Sequence, residues 1–405
     1  MRWQWPLLPR VAGGPTPGAR MVFRTHAMLG AACLAALLRP LPASALPKHL
    51  TPVPAPTLAR MGELGLAASA PILMRAFKKE SEIEVWKRAA GGRYVLLKTF
   101  PICRWSGQLG PKTKTGDRQT PEGFYPVAAR LMNPNSRYFL SFDVGYPNAY
   151  DRAHGGTGSA VMVHGTCSSA GCFAMTDRQV GEIYALARDA FAGGQAAFQF
   201  QSYPFRMTAQ NLARHRTDPN LAFWRQLKEG SDRFEATGQE PAVTVTGGRY
   251  AFAPYADPEI EAQAAARLGE ESARTAALVG QGIEAVRTTY SDGGQHATFA
   301  ALLRKGAVLG EVSRPEALAF AGLEVVQIPA RRRPVLVAET PRPVPLPVIE
   351  TEPSLFARTP LAEGPTRLTL AGSAMPAKPL FAAASPMRFV PVQTAQLVTS
   401  GFEGR

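Results

Sequence analysis

The chain has 405 residues, of which 45% are hydrophobic and 19% are charged, and this is enough apolar material for more than one folded domain. Its 45 lysines and arginines outnumber its 31 aspartates and glutamates, so the formal net charge is +14 at pH 7. A basic chain can bind nucleic acid, an anionic membrane or another acidic polymer. Because basic and aromatic residues are not interleaved and no zinc-finger or helix-turn-helix pattern occurs, we do not expect nucleic acid as a partner.

The N-terminal region has the pattern of an export signal. Arg24 and His26 precede an apolar stretch at residues 28–38, and residues 43–45 (Ala-Ser-Ala) have the small-residue spacing of a signal-peptidase site. We therefore predict a signal-peptide region at residues 1–45 and a mature protein in the periplasm or cell envelope. An uncleaved membrane anchor is the alternative, although a transmembrane helix needs about 20 apolar residues.

Two further expectations concern the start of the chain. Residues 1–20 are polar and contain proline, which fits poorly in front of a signal, so we expect translation to begin at Met21. Residues 46–71 are rich in proline, alanine and leucine and are predicted to form a linker.

The next part of the chain is rich in strand patterns. Apolar and polar residues alternate in several short runs, which is the period of a half-buried strand. The predicted strands are Glu82–Lys87, Arg93–Phe100, Phe124–Val127, Tyr138–Phe142, Ser159–Val163 and Ala197–Phe200. Between the last two, residues 176–179 (Thr-Asp-Arg-Gln) fit a capping box, which predicts a helix ending near Gly193.

The most informative stretch lies between the strand that ends near Val163 and this helix. A thiol titrates near pH ~8.5, so its attack on a carbonyl requires an adjacent base. His164 is the candidate base and Cys172 the candidate nucleophile. The N–H groups of Gly171 and Cys172 could form an oxyanion hole, and Ser169 could bond within the loop or polarise the substrate carbonyl.

Other interpretations of these residues stay open from the sequence. A buried cysteine often behaves as a small hydrophobic residue. Cys167 and Cys172 could form a disulfide in an oxidising compartment, or could bind zinc together with His164. No fourth zinc ligand has the usual spacing, so we expect neither a metal nor another cofactor. Alternatively, Cys103 could pair with Cys167, or Cys103, Cys167 and Cys172 could all stay reduced.

The stretch resembles the catalytic signature of L,D-transpeptidases of the YkuD type, in which His-Gly is followed by Ser-x-Gly-Cys. The matching residues are His164-Gly165 and Ser169-Ala170-Gly171-Cys172. Further segments are similar to the YafK-like branch of this family, and the similarity covers roughly residues 72–256. These segments are residues 101–103, 116–125, 132–136, 145–155, 171–177 and 204–208.

The resemblance implies a fold and an activity. It implies a mainly β domain, a curved β-sandwich with a few helices, at residues 72–210, completed by a helix and a hairpin at residues 211–256. It gives Cys172 the role of nucleophile and His164 the role of base, and in the family a backbone carbonyl orients this histidine. Gly165, Ser169 and Gly171 then shape the loop around the nucleophile.

The implied substrate is a peptidoglycan stem peptide. An exported L,D-transpeptidase would form a thioester with the stem and transfer it to an amine, either as a cross-link or to attach a protein. The alternatives are a hydrolase of the same fold that releases protein or peptide from peptidoglycan, and a non-catalytic wall-binding protein with a structural disulfide. A wall-linked outer-membrane protein is a further expected partner.

The sequence also departs from the broader family, in ways that look like the YafK-like branch. Ala170 stands where many members have a second histidine, Ala174 stands where many have arginine or asparagine, and the interval from His164 to Cys172 is short. These departures affect side chains close to the nucleophile, so they bear on the choice of substrate.

Four residues outside the motif are candidate substrate contacts. Arg152 could bind a substrate carboxylate through its planar guanidinium, and His154, Tyr146 and Arg118 could line the cleft. Asp177 is expected to cap the helix rather than to complete a triad.

The remainder of the chain differs in composition from the domain. Residues 257–405 are rich in alanine, proline and arginine and are predicted to be a largely disordered extension, with helical composition at residues 258–286.

Overall fold

Two β-sheets form the centre of the protein, as seen in a computed structural model that describes residues 46–309 and 322–331. Their strands are β1 (Ile72–Phe77), β2 (Glu82–Arg88), β3 (Tyr94–Pro101), β4 (Gly123–Ala128), β5 (Met132–Asn133), β6 (Ser141–Asp143), β7 (Met162–His164), β8 (Phe173–Ala174) and β9 (Ala197–Tyr203). The larger sheet has the order β3-β2-β1-β9-β4 and the smaller one the order β5-β6-β7-β8. Most strands pair antiparallel, but β1 with β9 and β7 with β8 are parallel.

The inner faces of the two sheets pack against each other through aromatic side chains. Phe142 of β6 meets Phe198 of β9 edge to face, with ring centroids 5.6 Å apart, and Phe173 of β8 meets Phe200 of β9 at 5.2 Å. All four rings are buried. The predicted β-sandwich is therefore confirmed.

Most strands lie where alternation predicted them, whereas β1 gave no such signal. All six of its residues are buried, since both faces of this central strand are covered. A strand buried on both faces reads as a continuous apolar run rather than as an alternating one. The run Tyr138–Phe142 is a strand only from Ser141 onward.

Helices and two two-stranded antiparallel sheets complete the described residues. The helices are α1 (Ala55–Glu63), α2 (Ala149–Ala153), α3 (Asp177–Ala192), α4 (Ala209–Arg214), α5 (Leu221–Thr237), α6 (Pro258–Gly280) and α7 (Ala297–Arg304). One small sheet is a hairpin of β10 (Val243–Thr246) and β11 (Arg249–Phe252), and the other pairs β12 (Ala285–Thr289) with β13 (Leu323–Ile328), which lies beyond α7. The longest helices, α5 and α6, span 17 and 23 residues and lie in the segments where a helix and helical composition were expected. Among the described residues, no helix is both long and apolar enough to span a bilayer.

Helix α3 begins at the predicted capping box and sets the position of the loop before it. The Thr176 side chain accepts the N–H of Gln179, and the Gln179 side chain accepts the N–H of Thr176. The buried face of α3, which includes Ile183 and Leu186, packs against β1, β6 and β7. The helix therefore joins the two sheets and fixes the C-terminal end of the loop that holds Cys172.

Two segments are more ordered than their composition suggested. The expected linker contains α1, whose Met61 is buried in the core, since proline is tolerated in the first turn of a helix. The expected extension contains α6, which packs on α4 and α5 and whose Glu271 accepts a hydrogen bond from Lys228 Nζ at 2.9 Å. The predicted signal region at residues 1–45 and the rest of the extension, residues 310–321 and 332–405, lie outside the described residues.

Candidate active site

Cys172 lies one residue before β8, beside the first residue of β7. Its Sγ accepts the N–H of Met162 at 3.4 Å and lies 3.8 Å from the carbonyl oxygen of Ala160. Strand β7 pairs in parallel with β8, with Val163 opposite Phe173 and His164 opposite Ala174. Cys172 directly precedes β8, so its thiol lies beside the start of the strand that ends at His164.

His164 is buried and its tautomer is fixed by a backbone carbonyl. Its Nδ1 lies 2.7 Å from the carbonyl oxygen of Gly165. A carbonyl only accepts, so Nδ1 carries the proton and Nε2 of the neutral ring is left as the base. The ring of Tyr138 packs on the imidazole, with centroids 4.6 Å apart, and limits its rotation.

Ser169 is the hydrogen-bonding centre of the loop between His164 and Cys172. Its Oγ accepts the N–H groups of Gly171 at 3.3 Å and Cys172 at 3.1 Å, and donates to the carbonyl oxygen of Cys172 at 2.7 Å. Ser106 Oγ lies 3.0 Å from Ser169 Oγ. Both expected oxyanion donors are thus engaged within the loop in this arrangement.

Two glycines let the loop pass close to its surroundings. Gly165 sits against Asp177 Oδ1 and the carbonyl oxygen of Tyr138, and a Cβ atom there would collide with both. Gly171 has φ +134°, a conformation that L side chains rarely adopt. Asp177 accepts the N–H of Thr166 at 2.8 Å, so it ties the loop to the start of α3 and does not orient His164.

Burial sets the protonation of Cys172 and His164. Loss of solvent raises the pKa of the Cys172 thiol to about 11, and the nearby charge of Asp143 raises it while that of Lys112 lowers it. Burial also lowers the pKa of His164. Near pH 7 the resting site therefore holds a neutral thiol and a neutral imidazole. Such a pair can react by transfer of the thiol proton to the imidazole.

Cys172 opens into a small cleft of about 110 Å³. The loop at residues 165–172, called the nucleophile loop after its candidate nucleophile, forms one wall with Ala170 and Gly171 beside the thiol. Two other loops form the remaining walls, one with Lys112, Thr115 and Gly116 and the other with Gly158, Ser159, Ala160 and Val161. Lys112 is the charged residue of these walls, and its Nζ pairs with Asp117 and donates to the carbonyl oxygen of Lys114 at 3.0 Å.

A disulfide joins Cys103 to Cys167 and leaves Cys172 as a free thiol. The Cα atoms of the bridge are 5.3 Å apart, within the usual range for a disulfide. This pairing was one of the possibilities left open by the sequence. It excludes a Cys167–Cys172 bond in the same molecule, and it removes Cys167 from a zinc ligand set. No group of three or more His, Cys, Asp or Glu side chains able to hold a metal occurs within residues 46–309 and 322–331.

The structure separates the four predicted substrate contacts from the cleft around Cys172. Tyr146 is buried behind the wall, with its OH 3.4 Å from the carbonyl oxygens of Lys112 and Thr157. Arg152 is exposed on α2 and donates to the carbonyl of Pro147. The ring of His154 stacks on Tyr150 at 4.1 Å. None of these side chains lines the cleft.

Arg118 is engaged in an ion pair rather than open to a ligand. Its Nη2 donates to Asp292 Oδ2 at 2.6 Å and lies 3.5 Å from the carbonyl oxygen of Ser169. The Arg118 side chain therefore bridges Asp292 and the nucleophile loop. Substrate binding by Arg118, Tyr146, Arg152 and His154 stays a prediction.

The sequence analysis missed Lys112, Asp143 and Tyr138. Lys112 had a detectable signal, because Asp117 in the Gly-Asp turn accepts the N–H groups of Thr113 and Lys114 at 3.0 and 2.9 Å and folds the chain back toward it. Asp143 and Tyr138 reach the site only through strand pairing and ring packing, which depend on the tertiary structure.

Comparison with known proteins agrees with this geometry. Residues 73–192 match the model of the L,D-transpeptidase catalytic domain (YkuD). The chain is 44% identical over 180 residues to "Putative L,D-transpeptidase YafK" of Escherichia coli strain K12, a match that covers 44% of this chain and 73% of that protein. The protein of the same name from Escherichia coli O157:H7 matches equally. The chain therefore belongs to the L,D-transpeptidase catalytic domain family.

Solved structures give weaker matches. The helical cell shape determining protein Pgp2 from Campylobacter jejuni is 15% identical, with a TM-score of 0.27 and coverage of 57% of this chain and 80% of that one. Bd1075 from Bdellovibrio bacteriovorus is 14% identical, with a TM-score of 0.26 and coverage of 55% and 76%. At these scores we draw no argument from either protein.

Proposed function

We propose that this protein is an exported peptidoglycan L,D-transpeptidase in which Cys172 is the nucleophile and His164 the base. The observation that supports this most directly is the free thiol of Cys172 beside β7, the strand that ends at a histidine whose Nδ1–H is held by the Gly165 carbonyl. A structural disulfide is already made by Cys103 and Cys167, so Cys172 is not needed for one. This argues against a purely wall-binding role.

In the proposed reaction His164 Nε2 takes the proton of the Cys172 thiol while Sγ attacks a carbonyl of the wall stem peptide. The N–H groups of Gly171 and Cys172 stabilise the tetrahedral oxyanion, and Ser169 Oγ has to yield them. The carbon–nitrogen bond then breaks, and the imidazolium gives its proton to the leaving amine. An acceptor amine attacks the resulting thioester, transfers a proton to His164 and releases Cys172.

The test is intact-mass spectrometry of the full mature chain mixed with a disaccharide-tetrapeptide wall fragment. We expect an adduct on the wild-type protein that is absent in Cys172→Ala. The matched control is the double variant Cys103→Ala with Cys167→Ala, which removes both other cysteines of the described residues and should still form the adduct. An adduct that persists in Cys172→Ala would contradict the assignment of the nucleophile.

The fate of the adduct decides between transfer and cleavage. A cross-linked product on addition of an amine acceptor supports transpeptidation. Release of a trimmed fragment only, with water as acceptor, would replace the transferase proposal with the hydrolase alternative, because the same two residues serve both reactions.

We also propose that the reaction takes place in the periplasm or cell envelope. The apolar stretch at residues 28–38 and the small residues at 43–45 support export, and the Cys103–Cys167 disulfide fits an oxidising compartment. N-terminal sequencing of the protein from envelope fractions tests this. A start at Leu46 supports cleavage, whereas a start before residue 28 would support an uncleaved anchor.

A further inference from the structure

A segment far along the chain lies against the active-site region. Residues 290–299, which run from the end of β12 into the first turn of α7, are called the 290–299 segment below. It makes backbone hydrogen bonds to residues 102–107, the stretch that follows β3. The bonds are Trp105 N–H to Gly294 O at 3.0 Å, Gly294 N–H to Trp105 O at 3.1 Å, Gly293 N–H to Gly107 O at 2.6 Å and His296 N–H to Ile102 O at 3.0 Å.

The approach is so close that it requires glycine. Gly293 has φ +71°, and a Cβ atom there would overlap the carbonyl oxygen of Trp105. The adjacent Gly294 packs on the indole of Trp105, where a Cβ would lie 3.0 Å from Nε1. The two glycines at these positions therefore allow the close contact, which a residue with a side chain would prevent.

Asp292 is the charged residue of the segment, and it is buried with only 3% of its surface exposed. Its Oδ2 accepts Arg118 Nη2 at 2.6 Å and lies 3.6 Å from Arg104 Nη2. Its Oδ1 accepts the N–H of Gly107 at 3.3 Å. Arg104 is fully buried, so the carboxylate neutralises a guanidinium that has no exposure to water.

The two arginines contact the chain on either side of Cys172, Arg118 in the nucleophile loop and Arg104 in β8. Arg104 exchanges backbone hydrogen bonds with Ala174, two residues after Cys172, at 3.0 and 2.8 Å. The Arg118 Nη2 lies 3.5 Å from the carbonyl oxygen of Ser169, three residues before Cys172. One carboxylate thus connects two supports that flank the nucleophile.

The end of the same segment covers the disulfide that holds the nucleophile loop. Phe299 packs on the buried disulfide between Cys103 and Cys167. Cys167 lies within the nucleophile loop. The 290–299 segment therefore reaches this loop at the disulfide as well as through the two arginines.

We propose that the 290–299 segment is part of the active site as a positioning element, with Asp292 as its positioning residue. It holds the nucleophile loop through Arg104 and Arg118 in the geometry that Cys172 needs for attack, where a displacement of about 1 Å can cost about a hundredfold in rate. The inference rests on the proposed role of Cys172. The family model ends at residue 192, so this element lies outside the residues it matches.

The experiment compares Asp292→Asn with Glu324→Gln in the full chain. Asn keeps the shape of Asp292 but removes its charge. Glu324 is the matched control, since it lies in the same C-terminal region and pairs with Lys79 and Arg214, away from the nucleophile loop. Three quantities are measured: the melting temperature, the kcat and KM of thioester formation with the wall fragment, and the alkylation rate of Cys172 by iodoacetamide from pH 6 to 11, mapped by peptide mass spectrometry.

We expect Asp292→Asn to lower kcat about three- to thirty-fold with little change in KM, and to change the pH profile of Cys172 alkylation. Glu324→Gln should leave both unchanged even if the two variants melt at similar temperatures. If Asp292→Asn alkylates and acylates like Glu324→Gln, the segment is merely structural and the proposal is wrong.

The alkylation arm keeps this test separate from the proposed function. If the wild-type protein forms no thioester but Asp292→Asn still changes the alkylation profile of Cys172, the positioning role holds and the transpeptidase proposal fails. Should Asp292→Asn not fold, Arg118→Gln breaks the same connection at a side chain that is 34% exposed. An unchanged alkylation profile in Arg118→Gln would then overturn the proposal.

Discussion

At the scale of single residues, the site is organised around a thiol that the protein keeps protonated. The imidazole of His164 is oriented by its own neighbour, the Gly165 carbonyl, and no carboxylate contact to it is seen in the part of the chain that the structure describes. In many cysteine enzymes an imidazolium lowers the thiol pKa. Here burial acts in the opposite direction on both groups.

The pH dependence of Cys172 reactivity tests this. With a pKa raised to about 11, the thiolate fraction is small at neutral pH and grows about tenfold per pH unit until that value is approached. Alkylation of Cys172 by iodoacetamide should therefore keep rising above pH 9, where an ordinary cysteine has levelled off. A plateau already at pH 7 would indicate a preformed thiolate–imidazolium pair instead.

The second prediction at this scale concerns Ser169. Ser169→Ala removes the hydroxyl that donates to the Cys172 carbonyl and accepts two N–H groups of the loop, and buried polar partners left unpaired cost about 1–3 kcal/mol. We expect the free energy of unfolding in urea to fall by that amount and thioester formation to slow. Faster thioester formation would contradict this expectation and mean that freeing the two N–H groups outweighs the lost support of the loop.

At the scale of secondary-structure elements, the nucleophile loop is fixed at three points. The strands β7 and β8 hold its two ends, and the disulfide to the residues after β3 holds its middle. This explains how a loop with two non-glycine residues at positive φ, Thr166 and Cys167, keeps one conformation.

The disulfide should contribute to stability more than to chemistry. It closes a sequence separation of 64 residues, and a disulfide typically stabilises by about 2–4 kcal/mol, in part by restricting the unfolded chain. The double variant Cys103→Ala with Cys167→Ala should lose that amount in urea unfolding at pH 7. Mild reduction of the wild-type protein should give the same loss, and a change of less than about 0.5 kcal/mol would show that the bridge is not a stabilising element.

At the scale of the whole molecule, segments after residue 256 pack on the helices that were expected to complete the domain. Lys228 of α5 is buried and donates to Asp232 and to Glu271 of α6, at 2.8 and 2.9 Å. Arg104 depends in the same way on Asp292. Both cations would lose partners if the later segments were missing.

A chain that ends at residue 256 tests this extent. Breaking a buried ion pair costs about 3–5 kcal/mol, so we expect the shortened chain to melt far below the full chain or to be insoluble. Glu271→Gln in the full chain gives a graded comparison and should produce a smaller drop. Equal melting temperatures for the shortened and full chains would show that the later helices do not support the sandwich.

Short sequence patterns predicted the candidate site residues and several of the strands and helices. The His-Gly and Ser-x-Gly-Cys residues and the capping box before α3 are short motifs, and β2 and β3 alternate clearly. Strand β1 was missed because it is buried on both faces, and α1 because its proline-rich composition resembled a linker. The contacts of Asp292 with Arg104 and Arg118 join residues far apart in sequence, so no local pattern could reveal them.

The larger sheet also constrains the order in which the chain can fold. Strand β9 separates β1 from β4, and β4 has no other neighbour in that sheet. The β1-β2-β3 meander can pair as soon as it is synthesised, but β4 has to wait for residues 197–203. Such long-range pairing is slow because a long loop must close first. A chain stalled between residues 128 and 197 would therefore expose the edges of β1 and β4 that β9 covers in the folded protein, and exposed edges of this kind favour aggregation.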